Sequence, residues 1–290
     1  MPRFRRRLDY RPPYDFAHLL AFFAKRAIPG VEQVDADAYR RVFAIDGSVG
    51  ALRVTRIAGA DALRLDVDLP DRKRLPSVEA RIRRMFDVDA DVAAINAHLG
   101  RHAQLRRAVA AHPGQRLPGG WDGFEIAIRA VLGQQVTVAA ARTLTERVVG
   151  KFGERVTLAD GTQVQLFPAP RTLAGADLGG LGITGARMRT LVAIARAVCD
   201  DALHFGPQPL PEFVARWTAI PGIGAWTAHY LAMRALSHAD AFPAADIVLR
   251  KAVTRDGTAV ATRALEQMAE RWRPWRAYAV LHLWRSTMPG

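Results

Sequence analysis

The residues with the most chemical promise lie between Pro211 and Arg250. Pro221-Gly222-Ile223-Gly224 separates two helical patterns, with Phe213, Val214, Trp217 and Ile220 sharing a face before it and Ala228, Leu231, Ala232 and Ala235 sharing one after it. Its glycines permit a sharp turn and leave main-chain amides bare at a helix N-terminus. That arrangement suits a phosphate oxygen and would grip a DNA backbone without reading its sequence. An ordinary tight turn between two helices is the alternative reading. Trp226, Tyr230 and Met233 fall on the side away from the small-residue stripe. Two aromatics four residues apart there need another surface, either a neighbouring domain or a flat ligand such as a nucleobase.

The next segment, Phe242-Pro243-Ala244-Ala245-Asp246-Ile247-Val248-Leu249-Arg250, places a carboxylate at the end of a loop where a helix begins. Asp246 reads in two ways. It can cap the helix, or it can be an ionised carboxylate, held anionic by the helix dipole, that faces positive charge developing on a substrate.

These residues sit in a chain of 290 residues, half of them apolar, long enough for two domains with real cores. Forty-one Lys and Arg against twenty-eight Asp and Glu give a formal charge of +13, which favours a polyanionic partner, nucleic acid first. No apolar run approaches the roughly 18 residues of a membrane span. The basic start, Arg3, Arg5, Arg6 and Arg7, leads into Leu8-Asp9-Tyr10-Arg11-Pro12-Pro13 and has no apolar core of a signal peptide, so a reducing cytoplasm is expected. Cys199, the single cysteine, allows no intrachain disulfide, cysteine-bound zinc site or four-cysteine iron–sulfur cluster; late in an apolar helix, it is expected to be buried and inert. The eight histidines show no metal-binding spacing, and His282 and Trp275 read as packing residues.

The elements that must position the hairpin fall into two parts. Residues 1–90 predict an α+β domain. A helix over Asp15–Ala27 carries Phe16, Leu19, Leu20 and Phe23. Arg41–Ile45, the turn Asp46-Gly47-Ser48, Leu52/Val54 and the alternating Leu63, Leu65, Val67, Leu69 predict an antiparallel sheet with one wet face, and a helix over Ser77–Phe86 covers the other. Residues 91–290 predict a mostly α body, with helices over 91–98, 101–111, 122–132, 137–149, 186–199, 211–219, 225–236, 247–253, 262–270 and 274–285. A short hairpin over Val156–Phe167 turns on Asp160-Gly161.

Four motifs in order resemble the helix-hairpin-helix DNA glycosylases, and within them the bacterial 3-methyladenine DNA glycosylase II group. They are Arg11-Pro12-Pro13-Tyr14-Asp15, then Trp121-Asp122-Gly123-Phe124-Glu125 with Leu132-Gly133-Gln134-Gln135-Val136, then Pro221 to Ala228, and finally Arg273-Pro274-Trp275-Arg276-Ala277-Tyr278-Ala279 through Trp284. The resemblance spans nearly the whole chain. It implies a helical body of two lobes with the hairpin at 211–236 and a catalytic loop and helix at 242–253. It also implies that Asp246 is catalytic, stabilising an oxocarbenium-like sugar as an N-glycosidic bond breaks. A base-flipping pocket of Trp226, Tyr230, Trp284 and, from the first domain, Phe22 would stack electron-deficient methylated bases. Gly222, Ile223, Gly224 and Thr227 would hold the DNA backbone. No cofactor is required, although family members hold a structural Na+ or K+ on hairpin carbonyls, here those of Thr218, Ile220 and Ile223. The implied partner is duplex DNA containing alkylated bases, bound by a monomer in the bacterial cytoplasm, at the nucleoid.

The departures from the family pattern matter. Trp226 stands where lyases of this family carry a Schiff-base lysine, and Cys199 alone cannot hold an iron–sulfur cluster, so a monofunctional, cluster-free enzyme is implied. Gln135 occupies the place of an apolar wedge that fills the gap left by a flipped nucleotide, and Ala245 and Ile247 replace a second Asp and a pocket Tyr. Two other readings stay open: a noncatalytic DNA-binding module, and a glycosylase for oxidised or deaminated bases.

Overall fold

The computed structural model describes residues 1–158, 160–254 and 256–287. Strands β1 (Arg3–Asp9), β2 (Glu32–Val34), β3 (Ala38–Ile45), β4 (Ser48–Arg56) and β5 (Ala62–Asp68) form one antiparallel sheet in the order β1-β5-β4-β3-β2. The expected alternation is present: Leu63, Leu65 and Val67 are fully buried, whereas Arg64, Asp66 and Asp68 lie on the wetter face. Asp46 and Gly47, with φ of 45° and 79°, make the two-residue turn between β3 and β4, whose twist requires positive φ at both positions. Helices α1 (Phe16–Ala24) and α2 (Leu75–Met85) cover the dry face with Phe16, Leu19, Leu20 and Phe23 and with Val78 and Ile82. Trp121 joins this core, its ring 4.7 Å from that of Phe43.

The basic start is strand β1, an element that its charge density hides. Arg3 and Arg5 lie opposite Asp68 and Asp66 in the register, and each pair closes at 2.8 Å, so the partner strand supplies the neutralising charge.

The helical body comprises α3 (Val92–Leu99), α4 (Ala103–Ala111), α5 (Gly123–Leu132), α6 (Val138–Phe152), α7 (Pro170–Leu173), α8 (Gly185–Cys199), α9 (Leu210–Thr218), α10 (Ala225–Ala235), α11 (Ile247–Ala252), α12 (Thr262–Ala269) and α13 (Arg276–Ser286). A small hairpin of β6 (Arg155–Thr157) and β7 (Gln163–Gln165) separates α6 from α7. Only α7, too short to show a period, has no counterpart in the sequence pattern. None of the described helices is long and apolar enough to cross a membrane.

Two side chains depart from expectation. Cys199 is exposed, because it is the last residue of α8 and the apolar face of that helix is spent on Leu191, Ile194 and Ala195. Met233 is fully buried, because α10 is covered on more than the face of its alanine stripe. His282 is fully buried on α13, as a packing role requires, and burial pushes its imidazole down to about 4. Trp275 is half-buried and meets His98 edge to face.

The sheet is fastened to the body by a buried ionic network. Arg41 on β3 donates to Glu125 on α5 at 2.8 Å; Arg129, one turn further along α5, donates to Glu125 at 2.5 Å and to Glu32 on β2 at 2.6 Å. Tyr39 adds a bond to Glu32 at 2.7 Å, and Arg129 also reaches the carbonyl of Arg26 at 2.9 Å. Burial alone would push the Glu32 carboxyl up, but Arg129 and Arg41 outweigh it and bring it below the usual range. An acid lowered in this way stabilises the fold above its unfolded pKa and ceases to do so as pH falls through the lowered value, so the clamp weakens only below about pH 4. Glu125→Gln leaves two buried guanidiniums sharing one carboxylate. It should cost about 3–5 kcal/mol, read as a lower denaturant midpoint at pH 7; an unchanged midpoint would mean the network is neutral for stability.

Candidate active site and nucleic-acid interface

Helix α9 anchors the hairpin through Phe213 and Trp217, both buried, and the chain turns over Pro221–Gly224 into α10. The two glycines do different work. Gly222 has φ of +90°, and a Cβ there would run into the hydroxyl of Thr190, which itself donates to the Pro221 carbonyl at 2.8 Å. Gly224 has an ordinary φ of −91°, caps α10, and would place a Cβ in open space. Among the described residues the amides of Gly222 and Gly224 donate to no acceptor, so both are free at the N-terminus of α10. The Ile223 amide is spent on the Ile220 carbonyl at 3.0 Å, and its side chain is buried.

Thr227 is buried too, and its hydroxyl accepts from Gln134 at 3.2 Å. Gln134 also reaches the Gly222 carbonyl at 3.0 Å, while Arg187 holds the carbonyl of Gln134 itself. The two glutamines of the Gly133-Gln134-Gln135 stretch therefore divide: Gln134 braces the hairpin, and Gln135, exposed with φ of 55°, stands out from it beside exposed Val136 and Val138. The carbonyls of Thr218 and Ile223 accept no hydrogen bond among the described residues, and that of Ile220 keeps a lone pair. Neutral carbonyl oxygens of this kind suit a hard monovalent cation.

Asp246 sits between the end of the Phe242–Ala245 loop and α11. Its Oδ1 accepts the amides of Val248 and Leu249 at 2.9 and 3.0 Å, which is the cap; its Oδ2 accepts the indole N–H of Trp226 at 2.8 Å. Trp284, on α13, points its indole N–H at Oδ1 from 3.4 Å. Trp226 and Tyr230 stack on one another with centroids 5.3 Å apart and planes 7° apart. No base fits between rings that close, since each stacking contact takes about 3.5 Å. A base would have to use an outer face or part them.

The structure places Phe22 of the first domain against two arginines. The guanidiniums of Arg26 and Arg234 lie 3.7 and 4.5 Å from the centre of the Phe22 ring, and Arg234 donates to the Tyr230 hydroxyl at 3.1 Å. Neither arginine stood out in the sequence, and Gln134 figured there only within the Leu132–Val136 motif, with no bracing role. His229 is a further addition: its Nδ1 accepts the amide of Phe242 at 3.2 Å, tying α10 to the loop that carries Asp246. Burial, helped by Arg276, pushes His229 down to about 4, so the ring is neutral at pH 7 and able to accept. Among the described residues no three His, Cys, Asp or Glu side chains are placed to share a metal ion.

An antiparallel domain set on a helical body, with a glycine hairpin beside a loop carboxylate, defines a two-part helix-hairpin-helix protein. Residues 128–277 match the family of HhH-GPD superfamily base excision DNA repair proteins, and residues 5–122 match the AlkA N-terminal domain. The chain belongs to this HhH-GPD superfamily. It is 34% identical over 281 residues to DNA-3-methyladenine glycosylase 2 of Escherichia coli, covering 96% of this chain and 95% of that protein. It is 39% identical over 279 residues to a Mycobacterium tuberculosis protein described as a probable bifunctional transcriptional activator/DNA repair enzyme AlkA, covering 96% of this chain but only 56% of the relative, so it spans about half of that longer protein. The fold is also that of a 3-methyladenine DNA-glycosylase from Archaeoglobus fulgidus, with a TM-score of 0.83 at 20% identity, covering 96% of this chain and 97% of that one.

The two hairpin glycines should separate experimentally. Gly222→Ala forces a side chain into left-handed backbone and against Thr190, and should lower the unfolding free energy by at least about 1–2 kcal/mol. Gly224→Ser, which fits the open space and keeps a favourable N-cap, should stay within about 0.5 kcal/mol of the parent. Denaturant titration of the two variants decides, and equal losses would reject the division.

Proposed function

We propose that the chain is a monofunctional DNA glycosylase that hydrolyses the N-glycosidic bond of alkylated, 3-methyladenine-like bases in duplex DNA and leaves an abasic site. The observation that carries the reading is Asp246: one ionisable carboxylate, oriented by two main-chain amides and two indole N–H groups, beside stacked aromatics and behind a hairpin with free amides. The free amides of Gly222 and Gly224 take a backbone phosphate. A Na+ or K+ on the carbonyls of Thr218, Ile220 and Ile223 would add its charge at the same turn. Gln135 enters the space left by the extruded nucleotide, where its amide can bond to the orphaned base. The extruded base stacks on the outer face of the Trp226–Tyr230 pair, within reach of Trp284 and Phe22.

Bond breaking leaves positive charge on the sugar, and the fixed Asp246 carboxylate opposes it without having to reorganise. Water then adds to C1′, with Asp246 placed to accept its proton. A methylated purine carries its own positive charge and departs neutral, so little acid catalysis is needed for it. The protein is read as a monomer of the cytoplasm that works on the chromosome.

Asp246→Asn tests the reading. An amide can retain the cap through its oxygen, yet its NH2 must then face the Trp226 N–H, donor against donor, so a modest stability loss of about 1 kcal/mol is expected as well. Single-turnover release of 7-methylguanine from methylated duplex should fall at least about a hundredfold while affinity for an abasic-site duplex stays near the parent's. Wild-type release by a folded Asn variant would reject the catalytic role. Because Trp226 fills the position of a lyase lysine, borohydride should trap no covalent enzyme–DNA adduct during turnover; a trapped adduct would identify an amine nucleophile.

A further inference from the structure

Among the described residues five large apolar side chains are exposed: Met1 at the start of the chain, Val136 and Val138 beside Gln135, and Ile247 and Val248 beside Asp246. Four of the five flank the two residues that the proposed function sets at the gap and at the sugar. The valines belong to a longer exposed stretch, Gln135 to Ala140, that carries no charged side chain. Thr137 caps α6 within it, its hydroxyl accepting the Ala140 amide at 3.1 Å, and no acid stands in the first turn although the positive end of the helix would favour one. Exposed valines contribute little to a helix start, whereas apolar side chains gathered on one exposed stretch mark a contact surface.

The stretch is also pinned at both ends. Gln134, just before it, donates from its side chain to the Gly222 carbonyl at 3.0 Å and to the Thr227 hydroxyl at 3.2 Å, and its own carbonyl is held by Arg187. Gln135 then turns with φ of 55°, and the Thr137 cap fixes where α6 begins. Two branched apolar side chains on a turn held in this way are buried by a partner at little cost in chain entropy.

We propose that Val136 and Val138 pack on deoxyribose rings of the strand opposite the lesion and steady that strand while the damaged nucleotide is extruded from the other. The inference rests on the base-excising function proposed above. There the hairpin amides take a phosphate of the lesion strand and Gln135 fills the gap, so the residues that follow Gln135 meet what lies across it. Deoxyribose offers uncharged C–H edges along the minor groove, the same in every nucleotide, and an apolar contact with them grips without reading sequence. It also displaces no counter-ions, unlike a grip on phosphate. The second strand thereby becomes part of what the protein binds, and a lesion in single-stranded DNA lacks it.

The test measures affinity for an abasic-site analogue in an intact duplex, in the same strand alone, and in a duplex whose nucleosides opposite and beside the analogue are replaced by propanediol spacers, which keep the phosphates and remove the sugars and bases. Val136→Thr combined with Val138→Thr keeps the shape of both side chains. It should bind the intact duplex about fivefold more weakly, as expected for the apolar area withdrawn, with an unchanged salt dependence. On the single strand and on the spacer duplex it should stay within about twofold of the parent. Val136→Ile combined with Val138→Ile, which keeps both surfaces apolar, should bind the intact duplex as the parent does; unfolding midpoints verify that both variants are folded. Parental affinity of the threonine variant for the intact duplex would overturn the proposal. So would an equal loss on the spacer duplex or the single strand, or a loss that comes with a shallower salt dependence. Release of 7-methylguanine by the parent in any of those cases leaves the glycosylase reading standing, whereas a parent that releases none removes that reading and this inference with it.

Discussion

The site depends first on the buried ion network between the sheet and α5. Arg41, Glu125, Arg129 and Glu32 are taken out of water together, and the cost of desolvating them is offset only because every charge meets an opposite one at hydrogen-bond distance. Apolar packing would tolerate small sliding of the sheet over the helix, whereas this network tolerates one register. Arg129 extends that register to the site, because the same guanidinium holds the carbonyl of Arg26 just past the end of α1. Phe22 and Arg26 are thereby set against Arg234 and Tyr230 on α10, so side chains of the two domains meet in one geometry.

A second constraint fixes the hairpin from inside the body. Thr190 on α8 and Gln134 at the end of α5 both bond to the turn, the first at Pro221 and the second at Gly222. Helices that have no exposed chemistry of their own thus decide where the free amides point. The loop bearing Asp246 is held in the same manner, by His229 on α10, whose neutral ring accepts the Phe242 amide. The free backbone amides and the loop that carries the carboxylate are thus both tied to one helix, α10.

What was legible in the sequence follows from how locally each signal is encoded. Leu63, Leu65 and Val67 alternate and Asp46-Gly47 turns, so the central sheet is readable; Arg3 to Arg7 carry no apolar alternation, and β1 exists because Asp66 and Asp68 are opposite, a fact of register. Phe213, Trp217 and the α10 alanines announced the hairpin through periodicity. Met233 and Cys199 misled because helical phase says which residues share a face and says nothing about what covers it. Trp226 and Tyr230 were legible from their four-residue spacing and Asp246 from its place at a helix start, but only the resemblance grouped them with Trp284, since residues this far apart in the chain have no common spacing to read. The arginines are the clearest omission. In a chain with 41 Lys and Arg, nothing local separates Arg234 or Arg26 from a solvated surface charge, and only burial beside a phenol does so.

The two readings of Asp246, cap and catalyst, are compatible because a carboxylate has two oxygens and several lone pairs. Oδ1 is committed to the amides of Val248 and Leu249, which fixes the side-chain torsions and places the group at the positive end of a helical turn; Oδ2 takes only the Trp226 N–H. The cap is then what makes the charge useful. A free aspartate on a loop would turn toward solvent, and part of its attraction for a sugar cation would be lost to reorienting the group during the reaction. Held by main-chain amides and an indole, it would present the same oxygen before and after charge develops in the proposed reaction. Each bond that stabilises the carboxylate in the ground state also draws electron density from it, so preorganisation is gained at some loss of field strength. For the catalytic role proposed, the fixed orientation would outweigh that loss, because a field that needs no reorganisation acts fully at the moment of bond breaking.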